Sequence, residues 1–265
     1  PTREQDSNKG TFGKVLNICG SKNYIGAAYL STVSSLKVGA GYSALASTKD
    51  VISSVSSLLP EAVYMERNDC LTKLNNYNAI LIGCGLGVNS SSIGLFKTVL
   101  SKLQKETTPV VIDADGLNIL SKTNTLLPQN TIITPHPLEA SRLLKEGTTV
   151  ADILNDTKTY AKELTKKYNC VTVLKTHRTV ICDKNLDIHI NNCGNSALAK
   201  AGSGDVLAGI ITGLLAQKMS LFEAAKLGVY LHAKSGEIAS KELTEYSVLA
   251  SDLPKYLHKA IKEVI

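Results

Sequence analysis

Ala201-Gly202-Ser203-Gly204-Asp205, running on into Val206-Leu207-Ala208-Gly209-Ile210-Ile211-Thr212-Gly213-Leu214-Leu215, is the stretch on which the fold turns. Two glycines around a serine let the backbone bend sharply and approach a ligand. The apolar run that follows starts a helix, whose first N–H groups have no intrahelical partner and together form an anion hole. Asp205 stands in that first turn, where the helix dipole favours a carboxylate. A carboxylate beside an anion hole can take a proton from a hydroxyl while the hole steadies a transferring phosphoryl group. A lone Asp there would simply cap a helix. With Gly-Ser-Gly in front and Ala208, Gly209 and Gly213 behind, Gly202, Ser203, Gly204 and Asp205 read as catalytic.

Outward from this segment, short β-rich runs alternate with helical patterns. Strands are predicted at Val15–Cys19, Tyr42–Ala46, Ala79–Ile82, Val110–Ile112, Thr131–Ile133, Val171–Leu174, Thr179–Ile181 and Leu186–Ile190. Helices are predicted at Ile25–Val38, Ser91–Lys105, Pro137–Lys145, Val150–Tyr168, Asp205–Gln217, Leu221–Glu237 and Ala250–Glu263. The alternation predicts an α/β fold with a mostly parallel central sheet and helices on both faces. Asp183–Asn185 reads as a hairpin turn, which puts an antiparallel element late in the sheet. No repeat, low-complexity stretch or linker divides the chain, so residues 1–265 read as a single domain.

Ligands of such sheets bind at the carboxyl ends of the strands. Gly20-Ser21, Gly83–Gly87, Asp113–Asn118, Thr134–Pro137, Lys175–His177 and Asn192–Asp205 follow six of the predicted strands and carry glycine, acidic, His or Lys chemistry. Asp113 and Asp115 flank Ala114 and suit either Mg²⁺ steering or loop bracing. His136 lies between two prolines on a stiff backbone, suited to hydrogen-bonding an amide or phosphate. Gly39-Ala40-Gly41-Tyr42-Ser43-Ala44 fits G-x-G-x-x-A but follows a helix and precedes a strand, the wrong context for a dinucleotide fingerprint. Gly83-Cys84-Gly85-Leu86-Gly87 follows a strand but lacks the acidic ribose partner about 20 residues on. There is no G-x-x-x-x-G-K-[ST], which excludes a P-loop.

The 265 residues are 43% hydrophobic and 20% charged, in the ordinary globular range. A net charge of +6 is compatible with an anionic ligand but specifies none. No basic cluster resembles a nucleic-acid arm, and no apolar run is long enough to span a membrane. Cys19, Cys70, Cys84, Cys170, Cys182 and Cys193 include no C-x-x-C pair and read as reduced, buried thiols of a cytoplasmic protein without a zinc site. The chain opens on Pro1 rather than Met, as expected of a processed, trimmed or excised chain.

Lys9-Gly10-Thr11-Phe12-Gly13, Gly20-Ser21 and Tyr24–Ala28 resemble the opening of the NAD(P)H-hydrate dehydratase family, the carboxy-terminal domain type of the YjeF proteins. The likeness continues through Gly39–Gly41, Leu59–Glu61, Gly83–Gly87, Asp113–Asn118, Thr134–Glu139, Val173–Lys175, Asn192–Asp205 and Ala250–Leu253, in order along nearly the whole chain. The resemblance implies a ribokinase-like three-layer α/β/α fold. It also implies a kinase-like first step: a phosphoryl group passes from ADP or ATP, with Mg²⁺, to the C6 hydroxyl of hydrated NADH or NADPH. Phosphate then leaves. Asp205 matches the family's base, and the Gly202–Gly204 backbone its anion hole. Ala40, Gly85, Gly87, Asp113 and His136 match the side that holds the hydrated cofactor. Lys175, Thr176, His177, Arg178, Thr179, Asn192, Asn195 and Gly204 match the adenine-nucleotide side. No residue is assigned as a direct metal ligand, and a tetramer is implied. Thr176 replaces the family's usual Gly after Lys, Leu138 its Gly between Pro and Glu, and Cys84 its frequent Pro between glycines. None removes a reacting group. A ribokinase-like vitamin-precursor kinase would share Asp205 and the anion hole, and a non-catalytic nucleotide-binding protein would not need Asp205.

Overall fold

The computed structural model describes residue 3, residues 5–144 and residues 146–265. Among the described residues nine strands form one sheet: β1 (Lys14–Ile18), β2 (Tyr42–Ser47), β3 (Val63–Glu66), β4 (Ala79–Ile82), β5 (Val110–Ile112), β6 (Thr131–Ile133), β7 (Val171–Leu174), β8 (Val180–Cys182) and β9 (Ile188–Ile190). They lie in the order β3-β2-β1-β4-β5-β6-β7-β8-β9. Neighbours from β3 through β7 are parallel, and β8 runs against both β7 and β9.

Side chains alternate between the two faces of each strand. Val15, Leu81 and Val111 point into one core, together with residues of α1 (Ile25–Lys37), α2 (Lys49–Ser56), α8 (Ser203–Ala216), α9 (Leu221–Ser247) and α10 (Leu253–Lys262). Leu16, Ile80, Ile82, Val110 and Ile112 point into the other, together with α3 (Ser90–Leu103), α4 (Asp115–Ser121), α5 (Pro137–Leu143), α6 (Val150–Asn155) and α7 (Thr157–Tyr168). The result is three layers, with central strands such as β4 and β5 wholly apolar because both faces are covered.

Helix α8 occupies the centre of the first layer. Twelve of its 14 residues are buried. It reaches α1 backbone to backbone: a Cβ added at Gly209 would stand 2.2 Å from the Ser31 carbonyl oxygen, and one at Gly213 2.7 Å from that of Ser35. These two glycines therefore serve helix packing.

The structure differs from expectation at several points. β3 and α2 were not anticipated; β3 is a partly exposed edge strand, so it lacks an apolar signature. Asp115–Ser121 is a helix rather than a loop. The expected helix 150–168 breaks at Asp156, whose side chain instead accepts from the Thr159 amide and starts α7. α9 runs past Glu237 to Ser247, with a non-helical turn at Thr244. Thr179 and Leu186 fall outside their strands. Helix α5 ends at Leu143, and the expected terminus Lys145 lies outside the described residues. All six cysteines are free; Cys193, unlike the others, is partly exposed.

Candidate active site

The carboxyl ends of β4, β5, β6 and β7 converge on the first turn of α8. Asp113, after β5, is buried; its Oδ1 accepts from Lys175 Nζ (2.7 Å) and Thr134 Oγ1 (2.8 Å), and its Oδ2 from Cys84 Sγ (3.7 Å). Lys175, after β7, also lies 3.9 Å from Glu139 Oε2. Burial pulls the Lys175 ammonium down, but Asp113 and Glu139 outweigh it and hold its pKa above the ordinary value. The ammonium faces Gly204: a Cβ added there would lie 3.3 Å from Lys175 Nζ and 3.7 Å from Asp113 Oδ2.

Helix α8 begins two residues earlier than a Gly-Ser-Gly loop would have it. Gly202, with φ of 89°, is its N-cap, and Ser203 and Gly204 are helical. The Ser203 N–H donates to the Lys200 carbonyl (3.2 Å) and the Val206 N–H to that of Gly202 (3.2 Å). The open donors are thus the amides of Gly204 and Asp205, which moves the expected Gly202–Gly204 anion hole toward Asp205. Burial first, then the neighbouring Asp113, push the Asp205 carboxyl up to about 7; the Cys84 thiol and Lys175 pull the other way without cancelling this. A carboxylate near neutrality beside open amides and an ammonium is matched to general-base work on a group that becomes anionic.

His136 is the N-cap of α5. Its Nδ1 accepts from the amides of Leu138 (3.2 Å) and Glu139 (3.4 Å), while Glu139 returns a bond to the His136 N–H (2.9 Å). Burial and Lys175 lower the His136 pKa, so the ring is neutral near pH 7 and carries its proton on Nε2. Glu139, absent from the sequence-derived site, is almost fully buried between His136 and Lys175, and burial raises its pKa. The N-cap-to-N3 spacing of His136 and Glu139 was a legible signal for it.

Asp115 braces the neighbouring loop: its Oδ2 accepts the Gly87 N–H (2.8 Å) and its Oδ1 the Asn118 side-chain amide (3.4 Å). Gly85 is buried against α1, where a Cβ would meet that of Tyr24 at 2.6 Å. Ala40 is not brought to this edge. It precedes β2 at the amino ends of the strands and lines a separate hollow with Gly39, Leu214 and Gln217, near the opposite end of α8 from Asp205.

A cleft of about 650 Å³ opens beside Lys175 and Gly204. Its walls include His136, Thr176, His177, Thr179, Asn195 and Ser203 from the sequence-derived set. They also include Leu198, Leu207, Val229 and His232, which apolar helical spacing disguised as core. Arg178 and Asn192 do not line it; their side chains pair with each other at 2.8 Å on the exposed side. The Asn195 side chain is spent within the fold, on the Ala197 amide (3.2 Å) and on Ser240 Oγ (2.8 Å).

Among the described residues, Cys84, Asp113 and Asp205 bring ligand atoms within 4.8 Å of one another. The set is poor for a resident metal. The thiol is buried and donates a hydrogen bond to Asp113 Oδ2, and Asp113 Oδ1 is committed to Lys175 and Thr134. The oxygens of Asp205 and Asp113 Oδ2 suit a Mg²⁺ ion that arrives on a phosphate with its own waters.

The family model for NAD(P)H-hydrate dehydratase matches residues 15–259. The ADP-dependent (S)-NAD(P)H-hydrate dehydratase of Neisseria meningitidis is 38% identical over 242 residues, 89% of this chain and 80% of that one. The ADP/ATP-dependent NAD(P)H-hydrate dehydratase of Bacillus subtilis, crystallised with ATP and Mg²⁺, superposes with a TM-score of 0.88 at 33% identity, covering 99% of this chain and 94% of that one. A ribokinase-like superfamily protein of Enterococcus faecalis superposes equally well, with a TM-score of 0.88 at 31% identity over 99% of this chain and 91% of that one. The chain spans about half the length (52%) of the bifunctional repair enzymes from Thermofilum pendens and Moorella thermoacetica that it also matches. On the family match, the similarity to these relatives and a three-layer sheet with its late antiparallel strand, this chain belongs to the NAD(P)H-hydrate dehydratase family and has the ribokinase-like fold.

Proposed function

We propose that this protein uses an adenine nucleotide to return the S form of hydrated NADH or NADPH to the working cofactor. The observation that carries the reading is the placement of Asp205 beside the open Gly204 and Asp205 amides and the Lys175 ammonium, at the end of a nucleotide-sized cleft. Asp205 takes the proton of the C6 hydroxyl. That oxygen attacks the terminal phosphorus, and the bond between this phosphorus and the rest of the nucleotide breaks. The Gly204 and Asp205 amides and Lys175 hold the transferring group where its charge develops. The C6–O bond of the new phosphoester then breaks, phosphate carries off the electron pair, a proton leaves the adjacent carbon and the ring double bond returns.

Lys175, Thr176, His177, Thr179, Asn195 and Gly204 take the nucleotide side. Gly85, Gly87, Asp113 and His136 form the cofactor side, Gly85 by shaping its loop. Mg²⁺, bound with the nucleotide phosphates beside Asp205 and Asp113, supplies charge neutralisation. The names of the Neisseria and Bacillus relatives support an ADP- or ATP-dependent reaction on the S epimer. Residues 1–265 act as one catalytic unit in a cytoplasmic homotetramer. Among the described residues no helix is long and apolar enough to cross a membrane.

The test incubates the protein with hydrated NADH, Mg²⁺ and either ADP or ATP, and follows recovery of the reduced-nicotinamide absorbance. Recovery that needs a nucleotide supports the reading. Recovery without one, or a stable phosphoester in place of NADH and free phosphate, overturns it; the phosphoester would identify a small-molecule kinase.

A further inference from the structure

Ser203 is the first residue of α8, and its hydroxyl has a partner that the reaction as drawn does not use. Ser203 Oγ lies 3.0 Å from His232 Nε2 in a buried contact across 29 positions of sequence. His232 belongs to α9, among Val229, Leu231 and Ala233, and is only 8% exposed. It nevertheless reaches the wall of the cleft beside Ser203 and Gly204. Burying an imidazole costs free energy unless it is hydrogen-bonded, so its place in an apolar helix seam calls for a reason. Proton transfer is not that reason, since burial drives its pKa down to about 4 and the ring is neutral in use.

A neutral imidazole carries one N–H and one lone pair. With the lone pair on Nε2, the Ser203 proton points at the ring and is lost to the cleft. With the hydrogen on Nε2, the ring donates to Ser203 Oγ, and the Ser203 proton must point elsewhere. Among the described residues the ring's hydrogen-bond partner is Ser203 Oγ, at Nε2, so a ring proton placed there is the one that finds an acceptor. The open side of Ser203 is the cleft, next to the free amides of Gly204 and Asp205.

We propose that His232 is a positioning residue for the phosphoryl cradle: its buried Nε2 fixes Ser203 Oγ so that the Ser203 hydroxyl points into the cleft as a third donor to the terminal phosphate of the nucleotide. This rests on the adenine-nucleotide reading of the cleft. It gives Ser203 a side-chain role, since its amide is already used by Lys200. It also makes the cradle depend on the docking of α9 against α8.

The experiment is a double-mutant cycle on the full chain with His232→Leu, Ser203→Ala and the two combined, plus His232→Gln, whose amide nitrogen can take the place of Nε2. kcat and KM for the nucleotide are measured alongside ADP affinity by calorimetry and Tm. The expected result is a loss of ~10²-fold or more in kcat/KM for each single variant, the scale of a lost anion-hole donor. The double variant should be no worse than either single one, and His232→Gln should recover most of the loss. Multiplicative losses, or a His232→Leu protein with a lower Tm but wild-type turnover, overturn the inference. Should His232→Leu not fold, His232→Asn, which withdraws the amide from Ser203, replaces it in the same cycle. If the wild type itself recovers no NADH, the dehydratase reading has failed; the cycle is then read on ADP affinity, where the same coupling is expected and additivity overturns the inference.

Discussion

Lys175 Nζ and Asp113 Oδ1 meet at 2.7 Å across 62 positions of sequence, over the end of an intervening strand whose Thr134 hydroxyl bonds the same oxygen. Three adjacent strands thus end in one buried polar cluster. The pair sets the local field: Asp113 raises the Asp205 pKa and Lys175 lowers it.

Lys175→Met leaves the buried Asp113 carboxylate unpaired, which for such pairs costs roughly 3–5 kcal/mol. It also removes a positive charge that lowers the Asp205 pKa, so that pKa rises above about 7. The acid limb of kcat/KM should move to higher pH and Tm should fall. An unmoved limb in a folded variant would show that Lys175 does not act on the base.

Asp205→Asn removes the base and should cost ~10²–10⁴-fold in turnover. Its effect on stability follows from the raised pKa. The folded state binds the proton up to about pH 7 and the unfolded state only to its ordinary value, so wild-type stability falls as pH rises between the two. The Asn variant escapes that loss. Its Tm should match wild type at low pH and exceed it at pH 8. A lower Tm at pH 8 with near-normal turnover would make Asp205 a mere helix cap.

His136→Ala removes the acceptor that caps α5, worth about 1 kcal/mol, and withdraws the Nε2–H. The expected result is a modest Tm loss and a higher KM for the hydrated cofactor, with kcat close to normal. A collapse of kcat at unchanged KM would instead assign His136 to proton transfer.

Gly209→Ala improves intrinsic helix propensity by about 1 kcal/mol, yet its methyl group would stand 2.2 Å from the Ser31 carbonyl oxygen. Steric cost should win, giving a clear loss of Tm by calorimetry. A stabilised variant would mean that α1 and α8 can separate freely.

Most of the fold was legible because strands covered on both faces are written in uninterrupted apolar residues, as in Ala79–Ile82 and Val110–Ile112. Val63–Glu66 escaped because an edge strand in partial contact with water needs no such pattern. At the site, Asp205 and Lys175 were legible from glycine context and position after a strand. The exact amides of the anion hole were not, because helix ends shift by a residue or two and only the Ser203–Lys200 bond decides them. His232 was obscured because a side chain whose partner lies 29 positions away leaves no local pattern, whereas Glu139 was legible from its spacing to His136 and was passed over. Ala40 shows the converse: motif likeness carries no information about which edge of the sheet a residue occupies.

The reversal at β8 has a consequence for how this scaffold can diversify. By turning back instead of crossing over through a helix, the chain returns to the same rim within a few residues, so Thr176, His177 and Thr179 and the later wall from Cys193 to Lys200 come from one uninterrupted stretch. Asp113 and His136 are encoded before that stretch, and Asp205 after it. The wall from Thr176 to Lys200 is therefore a cassette, free to drift or be exchanged as a unit while Asp113, His136 and Asp205 stay in register with the sheet.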